Sequence, residues 1–101
     1  MSKTRIDNPN RDPGFVTGVF SDGVLAGGFL FVSGQASVDF KTSQFVLGTI
    51  EEETHRTLEN IKAIVEAAGA TMDHVVKCTA HLSNWDDFDR YNKVYEQYFP
   101  G

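Results

Sequence analysis

Ser33, Gly34 and Gln35 are the residues of this sequence whose types best suit chemistry on a small polar ligand. They follow directly on Phe29–Val32, an aromatic and β-branched run that predicts a strand. A hydroxyl and free backbone N–H groups at a strand end lie where the binding sites of sheet proteins gather. A purely structural turn accounts for the same residues equally well from the local sequence alone.

Other residues with chemical potential are more simply explained by structure. His55, His74 and His81 lack the spacing of metal ligands, so we predict no metal site. Cys78 lies on the apolar side of a predicted strand and is interpreted as a small buried hydrophobe. The acidic run Glu51–Glu53 is interpreted as the start of a helix, where its charges favour the helix dipole. None of these residues is nominated as catalytic.

Composition bounds the class of protein. The 101 residues are 41% hydrophobic and 23% charged, so we expect residues 1–101 to form a single globular domain. The formal net charge of −5 disfavours broad binding to nucleic acid. The N-terminus lacks the apolar stretch of a secretory signal, and no run of residues is long and apolar enough to span a bilayer. We therefore expect a cytoplasmic protein that does not associate with membranes.

A hairpin must position the Ser33 segment. Val19–Leu25 and Phe29–Val32 predict two antiparallel strands, because Gly27 and Gly28 between them tolerate the positive φ angles of a two-residue turn. The second strand is apolar at every position, so we expect it to be buried on both faces.

Two helices and a further strand follow. Thr49 and Glu52 form a predicted capping box, and the helix that they begin should end at Gly69. Val75–Leu82 predicts another strand. The second helix has an apolar, aromatic stripe that we expect to be core: Phe88, Tyr91, Tyr95, Tyr98 and Phe99. Two helices need roughly 20 Å of sheet, whereas three strands provide only about 14 Å, so we expect additional strands.

Six segments occur in an order that is shared with a known family: Phe29–Gln35, Glu51–Thr54, Leu58–Ala70, Asp73–Thr79, Asp87–Phe88 and Tyr91–Phe99. Together they resemble the Rid/YjgF reactive-intermediate deaminases, also called endoribonuclease L-PSP. The resemblance covers residues 20–101 in unbroken order. It implies an α+β, chorismate-mutase-like fold, in which two helices pack on a mixed β-sheet, and a homotrimer with its sites in clefts between subunits.

The resemblance also implies an activity. Typical members are hydrolases that convert 2-imino acids to 2-oxo acids and ammonia, and they need no cofactor. The small-molecule partner would therefore be an imino or enamino acid. The alternative is a non-enzymatic trimer that binds a small carboxylate, a metabolite or a partner protein in the same cleft. Ribonuclease activity is disfavoured by the net negative charge.

By resemblance, four residues belong to the substrate-binding cleft. Ser33 and Gly34 match the strand-end positions that line the family's pocket, and Asn92 matches a helix asparagine that faces the cleft from the neighbouring subunit. Phe20 occupies the place of a tyrosine in typical deaminases, and the lost hydroxyl modestly favours the non-enzymatic alternative. No residue is assigned to catalysis.

The family's carboxylate-binding arginine and water-holding glutamate belong to a part of its pattern that follows Gly101. Arg5, Arg11, Arg56 and Arg90 do not match that arginine, so none of them is nominated. We expect the closing strands of the sheet to belong to that same part, and residues 1–101 alone to be inactive and poorly soluble.

Overall fold

A computed structural model describes residues 3–11, 22–42, 44–75 and 85–99. Its strands are β1 (Lys3–Ile6), β2 (Gly23–Ala26), β3 (Phe29–Val32), β4 (Val38–Asp39) and β5 (Gln44–Phe45). Its α-helices are α1 (Ile50–Ala67) and α2 (Phe88–Tyr98), and short 3₁₀ turns cover Met72–His74 and Trp85–Asp87. The fold is therefore α+β, as predicted.

The predicted hairpin is confirmed. β2 pairs with β3 in antiparallel register, with Val24 opposite Phe31, and Gly27 and Gly28 turn the chain with φ angles of +59° and +80°. Glycine adopts two such angles in succession without strain, because it has no Cβ. The sheet also contains β1, which pairs antiparallel with β2 and was not predicted.

The prediction that β3 is buried on both faces is wrong for this chain. Phe29 and Phe31 are 65% and 63% exposed, whereas Leu30 and Val32 are half-buried. Successive side chains of a strand point to opposite faces, and α1 packs on only one face of this sheet. The two phenylalanines therefore form an exposed apolar patch on the other face.

The signals that bound α1 are confirmed. The Thr49 hydroxyl accepts a hydrogen bond from the Glu52 N–H at 3.1 Å, and the Glu52 carboxylate accepts one from the Thr49 N–H at 3.2 Å. At the other end, Gly69 has a φ of +86° and its N–H donates to the Glu66 carbonyl at 2.9 Å. Both ends of the helix are thus satisfied by residues within a few positions of them.

The core is small and centred on α1. The buried apolar residues of the described ranges are Leu58, Ile64 and Val65 of α1, Val94 of α2, and Phe40 in the turn between β4 and β5. Gly23 lets α1 approach β2 closely, because a Cβ at that position would lie 3.1 Å from Ile64 Cγ2.

The aromatic stripe of α2 is less buried than predicted. Val94 is the buried residue of the helix, and the prediction that the stripe is core is wrong. Phe88 is exposed, and the other four members are only half-buried: Tyr91, Tyr95, Tyr98 and Phe99. Tyr91 and Tyr95 are half-buried, with ring centroids 5.4 Å apart. Tyr98 turns instead toward α1 and contacts His55. Tyr98 therefore bonds to α1, whereas Tyr91 and Tyr95 contact each other.

Some predictions fall on residues that the structure does not describe. Residues 76–82 of the predicted third strand, with Cys78 and His81, lie outside the described ranges. All strand pairings within the described ranges are antiparallel, so the predicted mixed sheet depends on that strand. In the same ranges, no helix has the length and apolar character needed to cross a membrane.

Candidate functional site

The segment after β3 presents a row of backbone donors. The Ser33 N–H donates to the Asp22 carbonyl at 2.9 Å and extends the hairpin by one residue. The next three N–H groups, those of Gly34, Gln35 and Ala36, make no hydrogen bond in the part of the chain that is described. Gly34 and Ala36 are exposed. The predicted strand end thus offers three consecutive N–H groups to an anionic or polar ligand.

Gly34 is not required by the conformation or packing of this chain. Its φ lies outside the left-handed range, and a Cβ at this position would meet nothing within 4 Å. A side chain would therefore fit within the single chain. A glycine with open space in front of it suits a position that another molecule approaches closely.

Ser33 itself is half-buried. Its carbonyl oxygen accepts a hydrogen bond from the Gln35 amide nitrogen at 3.1 Å, which folds the Gln35 side chain back onto the loop. The glutamine therefore helps to shape the loop.

Asn92 lies in the middle of α2 and is half-buried. Its amide nitrogen donates to Glu96 Oε1 at 3.0 Å, one turn further along the helix. No hydrogen bond joins it to Ser33 or Gly34 within the described residues. The described hydrogen bonds therefore do not join Asn92 to the strand-end loop, and its placement across a subunit boundary stays a prediction. Phe20, the fourth predicted residue, lies outside the described ranges.

Arg11 and Arg90 are each paired with a carboxylate of the same chain. Arg11 forms an ion pair with Asp22 and lies over the Phe40 ring, 4.8 Å from its centroid. Arg90 contacts Glu51, with Nη2 2.6 Å from Oε1. This hydrogen bond is the main reason that the pKa of Glu51 lies below its ordinary value. Both arginines are therefore held by carboxylates of the same chain, and neither is assigned to the substrate's carboxylate.

A groove of about 630 Å³ lies between α1 and the β4–β5 hairpin, away from the predicted site. Its charged lining includes three cations and four carboxylates: Lys41, Arg56, Lys62, Asp39, Glu52, Glu59 and Glu66. None of Ser33, Gly34 and Asn92 lines it. Because charges of both signs alternate along an exposed helix face, they do not converge on one kind of ligand.

His55 and Tyr98 join the two helices. Tyr98 Oη lies 2.7 Å from His55 Nδ1 and 2.9 Å from Glu59 Oε1. Burial, followed by the hydrogen bond to Glu59 and its charge, raises the pKa of Tyr98 above its ordinary value. The phenol therefore stays protonated at neutral pH and holds α2 against α1. In the described ranges no group of three or more His, Cys, Asp or Glu side chains is arranged for a metal ion.

Sequence reasoning did not single out Asn60, which contacts the loop after β3. Its amide nitrogen lies 3.1 Å from the Ala36 carbonyl oxygen and 2.9 Å from that of Val38. The sequence signal was weak, since a lone asparagine on a helix is usually a solvent-facing residue.

Comparison with known proteins agrees with this architecture. A RutC family protein of Pyrococcus horikoshii is 46% identical over 82 residues, which are 81% of this chain and 65% of that protein. The human 2-iminobutanoate/2-iminopropanoate deaminase is 36% identical over 95 residues, 94% of this chain and 69% of that enzyme. The crystal structure of YyfA from Yersinia pestis, a Rid family protein of unknown function, superposes with a TM-score of 0.89 at 33% identity and covers 99% of this chain and 78% of that one.

The chain spans about 65% of the length of the first of these relatives. The profile of the family called endoribonuclease L-PSP matches residues 14–101, which include the hairpin, both helices and the strand-end loop. The match therefore covers more than half of the chain, and the chain belongs to the endoribonuclease L-PSP family, the Rid/YjgF proteins.

Proposed function

We propose that the full-length protein is a cytoplasmic imine deaminase, which hydrolyses 2-imino acids to 2-oxo acids and ammonia. The observation that carries this proposal is a row of N–H groups at the end of β3, those of Gly34, Gln35 and Ala36, which have no hydrogen-bond partner among the described residues. Similarity to proteins named 2-iminobutanoate/2-iminopropanoate deaminase supports the choice of substrate class.

The reaction adds water to the C=N carbon of the imine. The resulting carbinolamine loses ammonia as the C–N bond breaks and the oxygen forms the ketone, so no oxidant or cofactor is consumed. The substrate keeps a carboxylate throughout. Backbone N–H groups that are already unpaired and oriented can hold that carboxylate without reorganisation. In this proposal, the loop after β3 binds the carboxylate and so places the imine carbon in the cleft.

We place the cleft between subunits of a homotrimer. Phe29 and Phe31 are exposed on the sheet face opposite α1, and Asn92 makes no hydrogen bond to the strand-end loop of its own chain. Covering a phenylalanine removes apolar surface from water and contributes about 1.5–3 kcal/mol. A neighbouring subunit would cover this face and bring its Asn92 to the loop. Light scattering of the full-length protein should give the mass of a trimer, and a monomer mass would contradict this part.

The activity is tested with imine made in the assay by a pyridoxal-phosphate enzyme that releases 2-iminobutanoate. Release of 2-oxobutanoate is followed with and without the full-length protein. We expect faster release with it. If no acceleration occurs, the enzyme proposal is wrong. Binding of a 2-oxo acid without turnover would then support the alternative, a non-enzymatic carboxylate-binding protein.

Gly34→Ala tests the location of the site. The added methyl meets nothing within the chain, so the melting temperature should not fall. If a substrate lies against Gly34, the same methyl displaces it, and kcat/KM should fall about tenfold or more. Gly48→Ala is the control, because Gly48 is an exposed loop glycine far along the chain from Gly34. Its Cβ would lie 3.2 Å from the Glu52 carboxylate that caps α1, so its melting temperature is measured together with its kcat/KM. A kcat/KM equal to that of wild type in Gly34→Ala would show that the substrate does not lie against Gly34.

A further inference from the structure

The loop of residues 33–37 joins β3 to β4 and is fixed at both ends. At its start, the Ser33 N–H donates to the Asp22 carbonyl at 2.9 Å. At its end, Ser37 is buried, and its hydroxyl donates to the Val46 carbonyl at 2.7 Å. The exposed donors lie between these two fixed points, so their orientation depends on what holds the second half of the loop.

Asn60 holds that half to α1. Its amide nitrogen donates to two carbonyl oxygens, that of Ala36 at 3.1 Å and that of Val38 at 2.9 Å. These partners are 24 and 22 residues away along the chain, so the bonds are tertiary contacts. A carbonyl oxygen can only accept, so the Asn60 amide nitrogen is the donor in both bonds.

The asparagine is not explained by the needs of the helix. Asparagine is a weaker helix former than alanine, leucine or lysine, and its side chain is not among the buried core residues of α1. Leu58, Ile64 and Val65 supply that core. The contacts that Asn60 makes are with the loop, so its contribution concerns the loop and not the packing of the helix.

We propose that Asn60 is a positioning residue for the substrate-binding loop. By fixing the Ala36 and Val38 carbonyls, it keeps the backbone that carries the N–H groups of Gly34, Gln35 and Ala36 in one conformation. This inference rests on the proposed function, in which those groups hold the substrate's carboxylate. Ser37 also holds the end of the loop through its hydrogen bonds with Val46, whereas Asn60 is the side chain of α1 that bonds to the loop within the described residues. We therefore expect removal of the Asn60 bonds to loosen the loop without releasing its ends.

Asn60→Asp in the full-length protein tests the proposal. The change keeps the shape of the side chain, removes both donors and places a negative charge against two carbonyl oxygens. Gln97→Glu is the matched control, because it makes the same amide-to-carboxylate change at an exposed position of α2. The measurements are kcat and KM for imine hydrolysis, hydrogen exchange of a peptide covering residues 33–38, and the melting temperature.

The carboxylate is present in the substrate and in the transition state alike, so loosening its donors weakens both equally. We therefore expect Asn60→Asp to raise KM about tenfold or more while kcat changes by less than about twofold. Exchange in the 33–38 peptide should be faster, and the control should match wild type in all three measurements. A variant that is merely less folded would instead lose kcat at an unchanged KM.

The failures are distinguishable. If the wild-type protein shows no deaminase activity, the proposed function is wrong. If hydrogen exchange of the 33–38 peptide is unchanged in Asn60→Asp, then Asn60 does not hold the loop, whatever the activity. Faster loop exchange with an unchanged KM would show that the anchor does not position substrate and would overturn the proposal. If Asn60→Asp does not fold, Asn60→Ala, which removes the donors without adding charge, is measured in its place.

Discussion

Gly23→Ala probes how closely α1 packs on the sheet. The added Cβ would lie 3.1 Å from Ile64 Cγ2 and 3.4 Å from Leu30 Cδ1, whereas carbon atoms in favourable contact are about 3.5–4.0 Å apart. Some atoms must therefore move by a few tenths of an ångström. Ile64 is fully buried and β-branched, so in a helix its Cγ2 has one strongly preferred position and cannot swing away.

Two effects of opposite sign compete in this variant. In open space, replacing glycine at an ordinary φ stabilises a protein by about 0.4–1 kcal/mol, because the unfolded chain loses freedom. Overpacking a buried contact typically costs about 1–3 kcal/mol. We expect the contact to dominate, with a net loss of about 1–2 kcal/mol in the free energy of unfolding. For a domain of this size the melting temperature should fall by about 4–8 °C per kcal/mol.

Urea unfolding of Gly23→Ala, Ile64→Ala and the double variant measures the contact directly. Ile64→Ala removes Cγ2 and alone should cost about 2–5 kcal/mol. In the double variant the new methyl no longer meets Cγ2. The loss of stability in the double variant should therefore be smaller than the sum of the two single losses by about 1 kcal/mol or more. Gly34→Ala serves as the control in open space. Additive losses, or a Gly23→Ala variant at least as stable as wild type, would refute the close packing of α1 on β2.

Further predictions concern pH. The hydrogen bond from Arg90 lowers the pKa of Glu51. The stability that this bond contributes is therefore present above the ordinary pKa of 4.5 and is lost as pH falls below that value. Thermal melts of Glu51→Gln should therefore lose less stability than wild type on acidification. Burial and Glu59 raise the pKa of Tyr98. The stability that the protonated phenol contributes is therefore lost as pH rises above about 10, the ordinary pKa of tyrosine. In melts at alkaline pH, Tyr98→Phe should decline less than wild type, and equal declines would contradict this assignment.

Features that depend on neighbouring residues could be predicted from sequence. The Gly27–Gly28 turn, the capping box of Thr49 with Glu52, and the helix end at Gly69 were all predicted and are present. Each is decided by hydrogen bonds or φ angles within about four residues, so its signal is contained in a short stretch of sequence.

Features that depend on what packs against an element could not be predicted. β1 is four residues long and carries two charges, so its pattern resembles a loop, and only its pairing with β2 makes it a strand. The run Phe29–Val32 is uniformly apolar, and only the position of α1 decides that Phe29 and Phe31 lie on the exposed face. In the same way, Tyr98 leaves the aromatic stripe because α1 offers it hydrogen-bond partners.

The same distinction between local and tertiary features applies to the candidate site. Sequence alone selected Ser33 and Gly34, because a polar Ser-Gly after an apolar strand is a local signal, and similarity to a family added Asn92 and Phe20. Only the folded chain showed that the N–H groups of residues 34–36 are unpaired and that Asn60, more than 20 residues away, holds their loop. Hydrogen bonds between distant segments are set by the packing of α1 against the sheet, and a pattern of neighbouring residues does not contain that packing.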